Sequence, residues 1–171
     1  MIYAGIGSRE TPDNVLTKMW EYGYELAELG WTLRSGHARG ADMAFERGCI
    51  SAKGTMEIYL PWSGFNGAPR NNPQYISGNM DERHMNIAAN FHPAWHRCTD
   101  GAKRLHARNA SQILGSNLDT PATMVVCWTK DGLAGGGTGQ AIRMAKFYSI
   151  PVFDLAIAYD FTRLVRFVES F

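Results

Sequence analysis

Three glycine-bearing segments constrain this chain most: GIGSRETP (Gly5–Pro12), SGHARGAD (Ser35–Asp42) and GGGTG (Gly135–Gly139), each placed between a short apolar run and an amphipathic stretch. Apolar runs without alternation read as strands buried on both faces, which belong in parallel sheets covered by helices. The first run is Ile2–Gly7, and Thr11-Pro12 then supplies a helix cap followed by a proline at the first helical position. Over Asn14–Leu29, Val15, Met19, Tyr22, Leu26 and Leu29 recur at helical spacing until Gly30 stops the helix. Trp31–Leu33 predicts a strand, Gly40–Cys49 a helix, and Met56–Leu60 a strand that Pro61 ends. Residues 61–79 are rich in Gly, Pro and Asn and predict a long loop or lid. Asp81–Phe91 and a stretch from Thr99 to Gly115 predict helices separated by His92-Pro93. Met124–Trp128 is the most apolar strand, and GLAGGGTG reads as a turn with Thr138 capping a helix over Gln140–Phe147. Pro151–Asp154 and Phe161–Phe171 complete the pattern as strand and helix. The alternation predicts an α/β fold: a single-domain Rossmann-like three-layer sandwich over residues 1–171 with a mostly parallel sheet.

Composition narrows the partners. Lys plus Arg number 17 against 16 Asp plus Glu, a net charge of +1, which excludes a strong global attraction for nucleic acid or membrane. Any anion site must be local. The chain begins MIYAGIGSRE, without a basic region followed by an apolar run, and no apolar stretch approaches the roughly 20 residues of a bilayer span. Cys49, Cys98 and Cys127 are odd in number, dispersed and without a CxxC pair, which fits a reducing compartment. The expectation is a cytoplasmic protein with no membrane partner.

In parallel sheets, ligands sit beyond the carboxyl ends of the strands, with phosphates on helix N-termini. In the first segment, Gly5 and Gly7 let the backbone approach a ligand, while Ser8 and Arg9 add a hydroxyl and a cation. Glu10 stands where a dinucleotide fingerprint needs its third glycine, which disfavours NAD or FAD. In the second, Gly36 and Gly40 bracket a tight turn carrying Ser35 and Arg39, and Asp42 favours the helix dipole from the first turn. The third exposes backbone N–H groups of Gly135, Gly136 and Gly137 as an anion nest. Gln140-Ala141 follows it rather than the Lys and Ser or Thr of a Walker A loop, so triphosphate hydrolysis is unsupported.

Other residues invite function less directly. His92, His96, Cys98 and His106 are the potential metal cluster, but Pro93 breaks the helix that would align His92 with His96, and the pattern lacks structural-zinc spacing, so no metal is expected. His37 lies inside the second glycine segment, where it could meet a ligand or simply be solvated. Trp62, Phe65, Tyr75 and Trp95 could stack bases, or anchor loops. Met43, Met85 and Met144 read as core filler, and Lys103-Arg104 as a solvated helix face.

Taken in order, GIGSRETP, LRSGHARGAD, LHARNASQILG and GGGTGQAIRMAKFYSIPVFDL resemble the SLOG superfamily over almost the whole chain. That superfamily contains the DNA-processing protein DprA (Smf) and the LOG phosphoribohydrolases, and this chain is most similar to the short DprA-like proteins of phages and prophages. Arg108-Asn109 falls where DprA has its RN pair and LOG its catalytic arginine. The resemblance implies a Rossmann-like fold holding a nucleotide or nucleic-acid phosphate with Gly7, Ser8, Arg9, Ser35, Gly36, Arg39, Arg108, Asn109, Gly136, Gly137 and Thr138. It also implies a homo-oligomer, as many SLOG proteins are dimers. No cofactor is implied.

One departure bears on chemistry. LOG enzymes carry PGGxGTxxE, and aligning its GT on Gly137-Thr138 puts Ala141 where the glutamate for N-glycosidic cleavage belongs. Asp42, Glu10, Asp131 or the Asp81-Glu82 pair are the carboxylates that could substitute. The preferred expectation is a nucleotide-binding protein. The alternatives are a LOG-like nucleoside-monophosphate hydrolase, in which Arg108 would be catalytic, a DprA-like single-stranded DNA binder, and a phage sponge for a signalling nucleotide.

Overall fold

The computed structural model describes residues 1–171. Six strands form one parallel sheet in the order β4-β3-β2-β1-β5-β6: β1 (Ile2–Gly5), β2 (Thr32–Ser35), β3 (Met56–Tyr59), β4 (Tyr75–Ile76), β5 (Met124–Cys127) and β6 (Val152–Asp154). Six helices cover it: α1 (Asp13–Glu28), α2 (Ala41–Ser51), α3 (Glu82–Phe91), α4 (Asp100–Leu114), α5 (Gly136–Phe147) and α6 (Ala158–Val168). None is long and apolar enough to cross a membrane.

The sheet divides the core into two, which makes the three-layer sandwich. Val15, Met19 and Leu26 of α1, Phe45 and Cys49 of α2 and Leu164 of α6 pack with Tyr3, Leu33 and Val126 on one face. Ala110 and Ile113 of α4 and Ile142 and Met144 of α5 pack with Ala4, Val125 and Cys127 on the other, where Ile87 and Phe91 of α3 join them. Alternate residues of β1 and β5 therefore serve opposite layers, which is why these strands are apolar throughout.

Strand order reverses between β1 and β5. From β1 the chain builds outward through β2 and β3 to β4, then returns to lay β5 on the other side of β1. Adjacent loops diverge there, opening a crevice at the carboxyl ends of β1 and β5.

Four sequence expectations need correction. The segment over 61–79 is not all loop: Phe65–Gly67 forms a 3₁₀ turn and Tyr75–Ile76 is the edge strand β4, with Ile58 N–H donating to Gln74 O at 2.7 Å and Leu60 N–H to Ile76 O at 2.8 Å. A two-residue strand leaves no periodicity to read, and its support comes from β3. The helix after GGGTG starts at Gly136 with Gly135 at its N-cap, so these glycines form the first helical turn and Thr138 is not a cap. Pro12 rather than Thr11 occupies the N-cap of α1, since the Thr11 hydroxyl donates back to Ser8 O at 2.7 Å. The last helix covers Ala158–Val168, earlier than expected, with the Asp160 carboxylate accepting the Asp154 N–H at 2.9 Å and tying its first turn to β6.

Candidate functional site

The crevice at the strand-order reversal is a cleft of about 630 Å³, bounded by the loops after β1 and β2, the 3₁₀ turn after β3, one face of α4 and the start of α5. All the candidate ligand-binding residues except Ser35 and Gly36 line it. Those two lie underneath: the buried Ser35 hydroxyl donates to Gly5 O at 2.6 Å, locking the ends of β1 and β2 together, and Gly36 O accepts from Arg108.

α4 supplies the floor. Ala102, Leu105, Arg108, Asn109 and Gln112 recur at spacings that project one helical face into the cleft. Arg108 is buried at 7% exposure. Its guanidinium donates to Gly36 O, lies 3.5 Å from Asn109 Oδ1, sits 5.9 Å from the Phe65 ring and faces the Asp42 carboxylate at 4.0 Å. The buried Arg108 Nε has no partner. A Cβ on Gly36 would overlap the Arg108 guanidinium and the Gln112 amide, so glycine here lets both side-chain ends close over the backbone.

Asp42 enters from the opposite layer, in the first turn of α2. It is 2% exposed and accepts the Ala38 N–H at 3.4 Å. Burial pushes its carboxyl up to about 6, against the pull of Arg108 and of N–H groups from Ala38 and Gly7. Burial likewise holds Arg108 below its ordinary value, with Asp42 pulling it back; a guanidinium stays charged throughout.

The α5 side carries the backbone donors. Gly135 caps without any side-chain hydrogen bond, and the first N–H groups of a helix have no intrahelical acceptor, so Gly136, Gly137 and Thr138 present donors with the positive end of the dipole. Asn109 positions this turn, its Nδ2 donating to Gly137 O at 3.2 Å and to Gln140 Oε1 at 2.9 Å. From behind, Thr129 N–H donates to Asp154 Oδ1 at 3.1 Å, its hydroxyl donates to Asp154 Oδ2, and its Oγ1 accepts the Ala134 N–H at 3.1 Å. At the rim, Arg9 and Arg39 are exposed and join no ion pair, while Ser8 Oγ accepts the Glu10 N–H at 3.0 Å. The arrangement can receive an anion at the α5 terminus, with the exposed cations Arg9 and Arg39 and the buried cation Arg108 lining the same cleft.

The remaining candidates separate. Of the carboxylates considered as substitutes at Ala141, Asp42 and Glu10 line the cleft, whereas Asp131, Asp81 and Glu82 do not. Among the aromatics Phe65 alone lines it: Trp62 stacks edge-on against Phe65 at 5.3 Å, Tyr75 donates to Glu46, and Trp95 packs near His92 and His106. His37 turns away, its Nδ1 2.8 Å from Glu46 Oε2. His92, Cys98 and His106 come together despite Pro93, while His96 stays exposed. Burial and neighbouring His92 lower the His106 pKa, which keeps the ring neutral.

Sequence reasoning missed Asn66, Gln112 and Gln140. Asn66 lines the cleft and donates from Nδ2 to His37 O at 3.0 Å; Gln112 lines it with a buried, unpartnered Nε2. Gln140 is buried behind the nest, donating to Ala88 O at 3.0 Å. Only its place directly after GGGTG hinted at a role.

No protein-family model matches the chain, and no curated protein does. Among solved structures, DNA processing protein A from Helicobacter pylori, known for its single-stranded DNA binding mode, matches with a TM-score of 0.60 at 19% identity, over 90% of this chain and 64% of that one. The molybdenum cofactor carrier protein of Chlamydomonas rheinhardtii matches with a TM-score of 0.57 at 20% identity, over 91% and 75%. Both likenesses establish the Rossmann-like fold that the SLOG resemblance implies. The chain spans 64% of the length of the Helicobacter pylori protein.

Proposed function

We propose that this protein binds a nucleotide-derived ligand through its phosphate, in the cleft between the β1 and β2 loops, α4 and the start of α5. The observation that carries the reading is the convergence, at one strand-order reversal, of an uncapped glycine helix terminus with Arg9, Arg39 and Arg108. The cleft suits a mononucleotide-sized ligand, and pockets of roughly 300–1,000 Å³ are usual for such molecules. With phosphate on the Gly136–Thr138 amides, Phe65 and Leu105, which line the same cleft, would be available to the remainder of the ligand.

A second reading is supported by one distance. Arg108 and Asp42 lie 4.0 Å apart, and a carboxyl near pKa 6 in a buried site is suited to proton transfer. Asp42 thereby becomes the carboxylate for a LOG-like N-glycosidic hydrolysis in which the base departs with a proton, water adds to the ribose carbon it leaves, and Arg108 holds the phosphoribosyl group in place. The similarity to a single-stranded DNA-binding protein supports a third reading less directly, because Phe65 alone among the candidate stacking residues reaches the cleft.

A thermal-shift series with nucleoside monophosphates, cyclic and ADP-ribose-type nucleotides and short oligonucleotides, each mixture then chromatographed for free base, separates them. A mononucleotide at a hundred times its Kd should stabilise the fold by about 2.7 kcal/mol without base release. Base release that disappears in Asp42→Asn selects the hydrolase, and a salt-sensitive shift from oligonucleotides alone selects DNA. No shift with any of them sinks all three readings.

A further inference from the structure

We propose that His92, Cys98 and His106 form a binding site for a zinc-type divalent metal ion beside the cleft. His92 closes α3, Cys98 follows the 3₁₀ turn Trp95–Arg97, and His106 stands on α4, so a single ion would clip the two helices across their connection. One ligand atom from each residue lies within 4.8 Å of the others. Cys98 Sγ is 3.8 Å from both ring nitrogens of His92. In a tetrahedral zinc site with Zn–N near 2.05 Å and Zn–S near 2.3 Å, nitrogen and sulfur sit about 3.5 Å apart. The Cys98–His92 separation is therefore within a few tenths of an ångström of that edge, and a turn of the His92 ring, which now presents both nitrogens equally to the sulfur, would aim one lone pair at the ion.

The surroundings fix His106 in a ligating form. Its Nδ1 is 3.2 Å from Gln140 Oε1, and that amide cannot be reversed, since Oε1 also accepts from Asn109 and the Nε2 of Gln140 donates to Ala88 O. An amide oxygen only accepts, so Nδ1 carries the proton and Nε2 keeps its lone pair. A ligating histidine normally has this outer partner, which sets tautomer and ring orientation. The His92 and His106 ring centroids are 4.3 Å apart. His92 Nδ1 accepts the Ala94 N–H at 3.1 Å, and that weak bond is the one an ion on Nδ1 would displace.

The chemistry of the set favours zinc over magnesium or calcium. Two imidazoles and a thiolate are borderline-soft donors, whereas the hard cations take oxygen. Lys103, held 5.8 Å from the Trp95 ring, brings positive charge nearby, which a metal-bound thiolate at Cys98 would offset. All three residues are half-buried, open enough to load yet shielded from bulk water. Three protein ligands leave a fourth position for water or an anion, as in zinc sites that do more than hold a fold together. Because His106 also lines the cleft, the metal would stand in its wall. The sequence offered these residues as a potential cluster but argued against a metal from Pro93 and the missing zinc spacing, whereas the turn around Pro93 is what brings His92, Cys98 and His106 together.

The test uses the metal alone, on the full chain freed of metal by chelation. Zinc titrated in competition with a chromophoric chelator should bind at one ion per chain with a Kd of about 1 µM or below, and cobalt in its place should give a thiolate charge-transfer band in a tetrahedral spectrum. Cys98→Ser and His92→Ala should each weaken zinc by about 10-fold or more, with His96→Ala unchanged. Absence of saturable zinc binding below about 100 µM overturns the site. So does binding that survives both substitutions, or a cobalt spectrum without the thiolate band, a measurement on the unmodified chain that needs no variant to fold.

Discussion

Arg108 and Asp42 face each other at 4.0 Å across the carboxyl edge of the sheet, each from a different helical layer. α2 delivers the carboxylate and α4 the guanidinium, so this pair ties together the two halves of the sandwich at the cleft. Neither group is well compensated: the contact is at the limit of an ion pair, and Arg108 Nε is unpartnered.

Asp42 sets a pH dependence whose sign follows from burial. Its folded pKa, about 6, exceeds its ordinary 3.8, so its contribution to stability is fully present below about pH 4 and is lost as pH rises through 6. The amount at stake is about 3 kcal/mol. Denaturant unfolding of the parent and Asp42→Asn across this range should give profiles that diverge between pH 4 and 6, with the variant flatter. Parallel profiles would show that Asp42 titrates as in the unfolded chain.

Replacing Arg108 by alanine removes the charge that holds Asp42 down. The Asp42 titration midpoint, followed by carboxyl carbon NMR, should move above about 6, and phosphate-ligand affinity should fall about 10- to 100-fold, the value of a charged hydrogen bond. An unmoved midpoint contradicts the pairing.

Gly36→Ala tests how the guanidinium is seated. The new methyl collides with Arg108, and the protein should lose about 1–3 kcal/mol together with ligand affinity. Gly101→Ala in α4 meets nothing within 4 Å and should instead gain up to about 1 kcal/mol. Equal stability of the two variants in urea unfolding would refute the packing argument.

Gly137→Val separates folding from binding. A Cβ there finds only His106 Cε1 at 3.7 Å and Asn109 Nδ2 at 3.9 Å, ordinary contacts, so the fold should persist while the branched side chain fills the phosphate position. Nucleotide-induced stabilisation should vanish in a protein of near-parental melting temperature; undiminished stabilisation would place the ligand elsewhere.

Asp154→Ala should loosen the same nest from behind. Thr129 and Ala156 N–H groups lose their acceptor, at a cost of about 1–3 kcal/mol, and faster amide exchange at Ala134 should accompany the lower urea midpoint. Unchanged exchange at Ala134 would uncouple this network from the nest.

Much of the fold was legible because its signals are local and repeated. The apolar runs at β1, β3 and β5 and the helical spacing of Val15, Met19 and Leu26 each report a buried surface. Tyr75–Ile76 was invisible because two residues have no period, and their strand character is imposed by Ile58 and Leu60. The glycine segments marked the cleft through the backbone geometry they demand. Its polar framework was not legible: Gln140, Gln112 and Asn66 owe their places to packing between elements distant in sequence, as does the meeting of His92, Cys98 and His106.

Helix α5 starts with Gly136 and Gly137 and has no side-chain cap. Glycine is the costliest residue to order in a helix, and unmet N–H groups there gain nothing to offset it. That first turn is therefore poised to fray, and in the proposed function an arriving anion would act as the missing cap. Ordering of the turn and occupancy of the cleft would then be one equilibrium, so the amides of Gly136, Gly137 and Thr138 should exchange quickly in the free protein and slow in step with ligand saturation.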